Sequence, residues 1–88
     1  MLKKKTAIII SDDGAKHILH YYIRRSDDSE SFSCTMYNVG IKLDDVATEI
    51  EDFSPFLEDA EALFEKLSDN YITPQYLFSV AEDFVLNQ

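Results

Sequence analysis

The chain has 88 residues, 45% of them hydrophobic, and a formal net charge of −9. That length holds one domain with a thin core, burying about 60–65% of the unfolded chain's surface, and the six Phe and five Tyr among its apolar residues exclude disorder for most of it. Cys34 is the only cysteine, so an intrachain disulfide is excluded, whereas small secreted domains ordinarily carry several.

The first strand is expected at about residues 5–11, where Thr6-Ala7-Ile8-Ile9-Ile10-Ser11 is short and β-branched. Lys3-Lys4-Lys5 ahead of it has the outline of a signal peptide. Its apolar run is only four residues before Ser11-Asp12-Asp13, against the seven or so of a secretory core region. No stretch approaches the roughly 20 apolar residues of a membrane span, and a cytoplasmic location is expected.

Asp13-Gly14 between two apolar runs is a hairpin signal, because both residues tolerate positive φ. The return strand is expected at about 16–25, with Leu19, Tyr21 and Ile23 on one face and Ile18, His20 and Tyr22 on the other. Ser26 to Ser31 contains no apolar residue and reads as a solvated loop. A longer strand is expected over 31–43. Phe32, Cys34 and Met36 share one parity there and Tyr37, Val39, Ile41 and Leu43 the other, so a change of face near Asn38 or Gly40 is expected. Asp44-Asp45 turns the chain into a fourth strand at 46–53.

Two helices follow. Ser54-Pro55 reads as an N-cap with proline at the first helical position, opening a helix at about 55–69. Its apolar stripe is Phe56, Leu57, Ala60, Leu63, Phe64, Leu67 and Tyr71. Thr73-Pro74 repeats the signal for a helix at about 74–86, with Leu77, Val80, Ala81 and Phe84 as its stripe. The short connection folds the pair into a hairpin. The fold class is α+β in a single domain over 1–88: a four-stranded antiparallel meander, then a two-helix hairpin on one face, in the order ββββαα.

Tyr37-Asn38-Val39-Gly40-Ile41, then Ser54 opening a helix, then Pro74-Gln75-Tyr76-Leu77-Phe78-Ser79-Val80-Ala81-Glu82-Asp83-Phe84-Val85, resemble a family of small clostridial (Firmicute) proteins classed as a domain of unknown function. The resemblance covers the C-terminal half and is carried best by the proline-led last helix. It implies a bacterial cytoplasmic origin and brings no activity, ligand or catalytic residue.

The residues themselves give no catalytic, cofactor-binding or metal-ligating set. His17 and His20 are three apart on a strand, which directs them to opposite faces. Cys34 has no basic neighbour in sequence to lower its pKa. Asp12-Asp13-Gly14 and Asp27-Asp28-Ser29-Glu30 lack the ligand frame of a calcium loop. Carboxylates such as Glu49 with Glu51, or Glu58 with Asp59, sit on solvated faces that would not drive their pKa values apart. Two glycines in the whole chain exclude a phosphate-cradling loop. Tyr21, Tyr22, Arg24 and Arg25 could stack bases and meet phosphates, but the acidic remainder opposes nucleic acid.

The charge is split. Residues 1–25 carry six basic and two acidic groups, and residues 26–88 two basic and fifteen acidic. This either keeps acidic helix faces solvated or makes a dipolar surface that steers a basic partner or pairs head to tail. Apolar residues stand on both parities of the strands, and a helical hairpin covers one face only. The leading expectation is therefore a non-enzymatic interaction or regulatory module, binding a protein or a second copy of itself through the open face. Ile18, His20, Tyr22, Phe32, Cys34 and Met36 are its candidate surface. The alternatives are an acidic protein that meets a basic partner or imitates nucleic acid, and an enzyme built on His17, His20 or Cys34.

Overall fold

The computed structural model describes residues 1–26 and 35–87. Strands β1 (Lys3–Ile10), β2 (Lys16–Arg25), β3 (Tyr37–Leu43) and β4 (Val46–Ser54) precede helix α1 (Leu57–Asp69), a 3-10 turn (Pro74–Tyr76) and helix α2 (Leu77–Leu86). The strands form one antiparallel sheet in the order β1-β2-β3-β4. This is the expected α+β meander followed by two helices.

Turn chemistry sets the register. At the first hairpin the Gly14 N–H donates to the Ser11 carbonyl at 2.9 Å, and Gly14 takes φ +85. That is a longer turn than a two-residue Asp-Gly loop, and the Asp13 carboxylate supports it by accepting the Ala15 N–H at 3.0 Å. Ile10 then pairs with Lys16, Ile8 with Ile18 and Lys4 with Tyr22. At the β3–β4 turn Asp44 has φ 54, a conformation Asp tolerates. Its backbone N–H donates to the Ile18 carbonyl at 3.0 Å, and its carboxylate accepts the Ile18 N–H at 3.3 Å.

One face of the sheet is the core. Leu19, Tyr21 and Ile23 of β2 and Val39 and Ile41 of β3 are all fully buried, against Ala60, Leu63, Phe64 and Leu67 of α1 and Leu77 and Ala81 of α2. Each Leu, Ile, Val or Phe side chain among them contributes about 1.5–3 kcal/mol on burial. Ala7, Ile9, Ile50 and Phe53 close the margins, and Phe53 meets Phe84 with ring centroids 6.0 Å apart. The helix spacing that places these stripes also fixes their neighbours. In α2 the expected stripe packs inward, with Leu77 and Ala81 buried and Val80 and Phe84 half-buried.

Several boundaries differ from the sequence expectations, each for a local reason. β1 begins at Lys3, because the Leu2 N–H already donates to the Ile23 carbonyl. β3 begins at Tyr37. Thr35 and Met36 precede it outside any strand, and Phe32 and Cys34 lie outside the described residues. The irregularity near Asn38 is real, but the extra residues are on β4: Tyr37 pairs with Ser54 and Val39 with Ile50. Asp52 lies inside this bulge at φ 51, and its N–H donates to the Asn38 side-chain carbonyl at 2.8 Å.

Ser54 ends β4, paired with Tyr37, and the N-cap of α1 is Phe56. The Ser54 hydroxyl still serves the helix start. It accepts the Phe56 N–H at 3.0 Å and donates to the Asp59 carboxylate at 3.0 Å. Phe56 and Tyr71, expected in the α1 stripe, are exposed, because they lie just outside the helix at either end. Before α2 the chain makes a 3-10 turn in which the Tyr76 N–H donates to the Thr73 carbonyl, a common way to tighten a helix start.

Candidate docking surfaces on the open sheet face and the last helix

The strand register defines the second face of the sheet. Opposite the core-facing residues stand Lys4, Thr6, Ile8 and Ile10 of β1, Lys16, Ile18, His20, Tyr22 and Arg24 of β2, Asn38, Gly40 and Lys42 of β3, and Ala47 and Glu49 of β4. Both helices pack on the other face, and among the described residues no helix lies on this one.

The open face has two parts. Toward the first hairpin, Ile8, Ile10 and Ile18 are 63%, 66% and 43% exposed, and Ile8 and Ile18 are directly paired across the strands. Three isoleucines so exposed and adjacent form a contiguous apolar patch, unlike the scattered apolar exposure of ordinary surfaces. Lys16 borders it as the cross-strand partner of Ile10.

The rest of the face is basic and aromatic. Met1, Lys4, His20, Tyr22, Arg24, Lys42, Ala47 and Glu49 line an open depression of about 410 Å³. Tyr22 lies across Gly40 and is only 6% exposed. Burial, and then the Glu49 carboxylate, push its phenol above the ordinary value. Arg24 grips Glu49, with Nε 2.6 Å from Oε1 and Nη2 donating to Oε2 at 3.0 Å. Thr6 Oγ1 and His20 Nδ1 are hydrogen-bonded at 3.0 Å.

Two lysines of β1 are already engaged. Lys3 and Lys5 point to the helix side and meet α1. Lys3 Nζ is 3.3 Å from Glu61 and 3.4 Å from Glu65, and Lys5 Nζ is 3.3 Å from Asp69. Glu61 above all holds the Lys3 ammonium in its charged form beyond its usual range. The excess base of the first hairpin is thus divided between an internal clasp and the open face.

The candidate surface residues fall as follows. Ile18, His20 and Tyr22 are on the open face. Met36 is half-buried outside the strands, its carbonyl accepting the Ser26 N–H at 3.0 Å, and Phe32 and Cys34 lie outside the described residues. His17 faces away from His20 and contacts Asp44 at 3.1 Å. Among the described residues no group of three or more His, Cys, Asp or Glu side chains is placed to hold a metal ion, and no helix is long and apolar enough to cross a membrane. The cross-strand neighbours Lys4, Ile8, Ile10, Lys42 and Glu49 were missed from the sequence. Parity alone could have nominated Ile8 and Ile10, while Lys42 and Glu49 needed the register.

A second apolar surface lies on α2. Phe78, Val85 and Leu86 are 59%, 57% and 72% exposed. Together with Ile50, Phe53 and Ala81 they line a shallow groove of about 410 Å³ with Glu82 on its rim. Helical spacing gathers Phe78, Glu82, Val85 and Leu86 onto about a third of the circumference, away from Leu77 and Ala81.

The model of a family of unknown function, DUF6514, matches residues 3–87. No curated protein and no solved structure matches the chain.

Proposed function

The chain belongs to this family of unknown function, and on that footing we propose that it is a non-enzymatic docking module whose open sheet face receives an acidic, apolar-faced segment of a partner protein. The observation that carries this reading is the exposed patch of Ile8, Ile10 and Ile18 beside uncommitted cations. Apolar contact would supply affinity. Lys4, Lys16 and Lys42 would steer an acidic partner and fix its orientation. Two copies meeting open face to open face would set these cations against one another, which disfavours that arrangement.

The test is site-specific photo-crosslinking in the bacterial cytoplasm where the chain is expected to act. A photoreactive residue at Ile18 should give discrete adducts whose partner peptides are rich in Asp and Glu. The same residue at Ala62, on the exposed side of α1, should give none of them. Equal adducts from both positions, or none from Ile18, would overturn the reading.

A further inference from the structure

The two apolar surfaces are complementary to each other. One is basic at its margin: Ile8, Ile10 and Ile18 with Lys16 beside them and Lys42 further along the same face. The other is acidic: Phe78, Val85 and Leu86 with Glu82 in the same arc of α2. They belong to opposite layers of the molecule, since the open face looks away from the helices. A single copy therefore cannot bring them together. A second copy can.

We propose that the partner segment taken by the open sheet face is α2 of another copy of this chain, so that copies associate head to tail. The inference rests on the docking reading above and names its partner. Helix α2 is apolar on two sides. Leu77 and Ala81 hold it to its own core, and Phe78, Val85 and Leu86 remain for a neighbour. Glu82 then meets the lysines that border the isoleucine patch. Like charges do not oppose one another, as they would if two sheets or two α2 helices paired. Because the two surfaces differ, the contact is heterologous: an open assembly keeps one free sheet surface at one end and one free helix surface at the other. Such contacts grow into chains or close into rings rather than stopping at a dimer.

The geometry makes a sharp test with the full chain. By light scattering coupled to size exclusion, mass should rise with concentration past the dimer and fall as salt is added, through screening of Glu82 and the lysines. Ile18→Asp damages only the sheet surface and Leu86→Asp only the helix surface. Both sites are solvent-exposed, and circular dichroism confirms that each variant is folded. Each alone should weaken association about tenfold or more, the loss of a central interface contact. Mixed in equal amounts they should form a one-to-one heterodimer and stop there, because one intact surface of each kind remains between them. A mixture that stays monomeric, or a wild-type chain that is monomeric at every concentration, overturns head-to-tail association. The docking reading itself would survive that result if Ile18 still crosslinked to another protein, and would fall with it if Ile18 crosslinked to nothing. Mixtures that bind a nucleic acid through the sheet face and not each other would also overturn the proposal.

Discussion

The phenol ring of Tyr22 occupies the space a side chain at residue 40 would need: a Cβ built on Gly40 would lie 2.4 Å from the ring's Cζ and from its hydroxyl. Gly40 is in a regular strand and its backbone asks for no special freedom. It is glycine because the ring lies across it. Gly40→Ala should lift Tyr22 off the sheet and cost about 1–3 kcal/mol, the range for overpacking a filled site. Chemical denaturation measures the loss. In the double variant with Tyr22→Ala most of the alanine penalty should vanish, a coupling of about 1 kcal/mol or more. Simple additivity would show that the ring is not what excludes a side chain at residue 40.

The Arg24–Glu49 pair joins β2 to β4 across β3, with side chains 30% and 17% exposed. Two contacts between a guanidinium and a carboxylate fix geometry better than a lysine could. Arg24→Met should destabilise by about 1–2 kcal/mol, below the cost of breaking a fully buried pair because water reaches both groups. Arg24→Lys should recover only part of this. Thermal unfolding at matched salt reads both.

Tyr21 is fully buried, and its hydroxyl donates to the Ile72 carbonyl at 2.9 Å, tying the sheet to the link between the helices. Burial pushes its phenol up from 10.0 to about 12. The folded chain therefore holds this proton more tightly than the unfolded chain. Its stabilising contribution is complete below pH 10 and is lost as pH rises toward 12. Tyr21→Phe should cost about 1 kcal/mol at neutral pH for the lost hydrogen bond. It should also flatten the alkaline limb of the stability curve, as followed by denaturation across that window.

Two turn carboxylates act at the other end of the pH scale. The hydrogen bond from His17, and then the Ile18 N–H, hold Asp44 below 3.8. The Ser11 hydroxyl and the Ala15 N–H do the same for Asp13. A depressed carboxylate stabilises the fold fully above 3.8, and that contribution is lost as pH falls through its lower folded value. Thermal midpoints should decline below pH 4. The Asp13→Asn, Asp44→Asn double variant should start lower at neutral pH and decline less. An unchanged acid limb would assign it to other groups.

Local signals made much of this fold legible. The period of Leu77, Val80, Ala81 and Phe84 identified the buried side of α2 because every contact in it obeys one helix geometry. The parity of Ile18, His20 and Tyr22 likewise separated them from Leu19, Tyr21 and Ile23. What could not be read was whatever depends on two distant segments at once. The β4 bulge exists because Asn38 can satisfy the Asp52 N–H across the strands. The start of α1 shifts because Ser54 is held by its pairing with Tyr37. The partnership of Lys42 and Glu49 with Tyr22 follows from the register, which the turns set to within a residue and sequence parity does not. Exposure of Phe78 and Leu86 was hidden for a different reason: α2 is apolar around most of its circumference, so its outer side resembles its inner one.

The lysine clasp has a consequence for the order in which the molecule is made. Lys3 waits for Glu61, 58 residues further along the chain, and Lys5 for Asp69, 64 residues further. During synthesis β1 is made before the helix that holds it, with the rest of the sheet between them. Throughout that interval Ala7-Ile8-Ile9-Ile10 is an unlatched, sticky edge. The three preceding lysines repel other nascent copies from it. Lys3 and Lys5, which fasten the finished fold, thus also flank this apolar edge strand with charge until the fastening arrives.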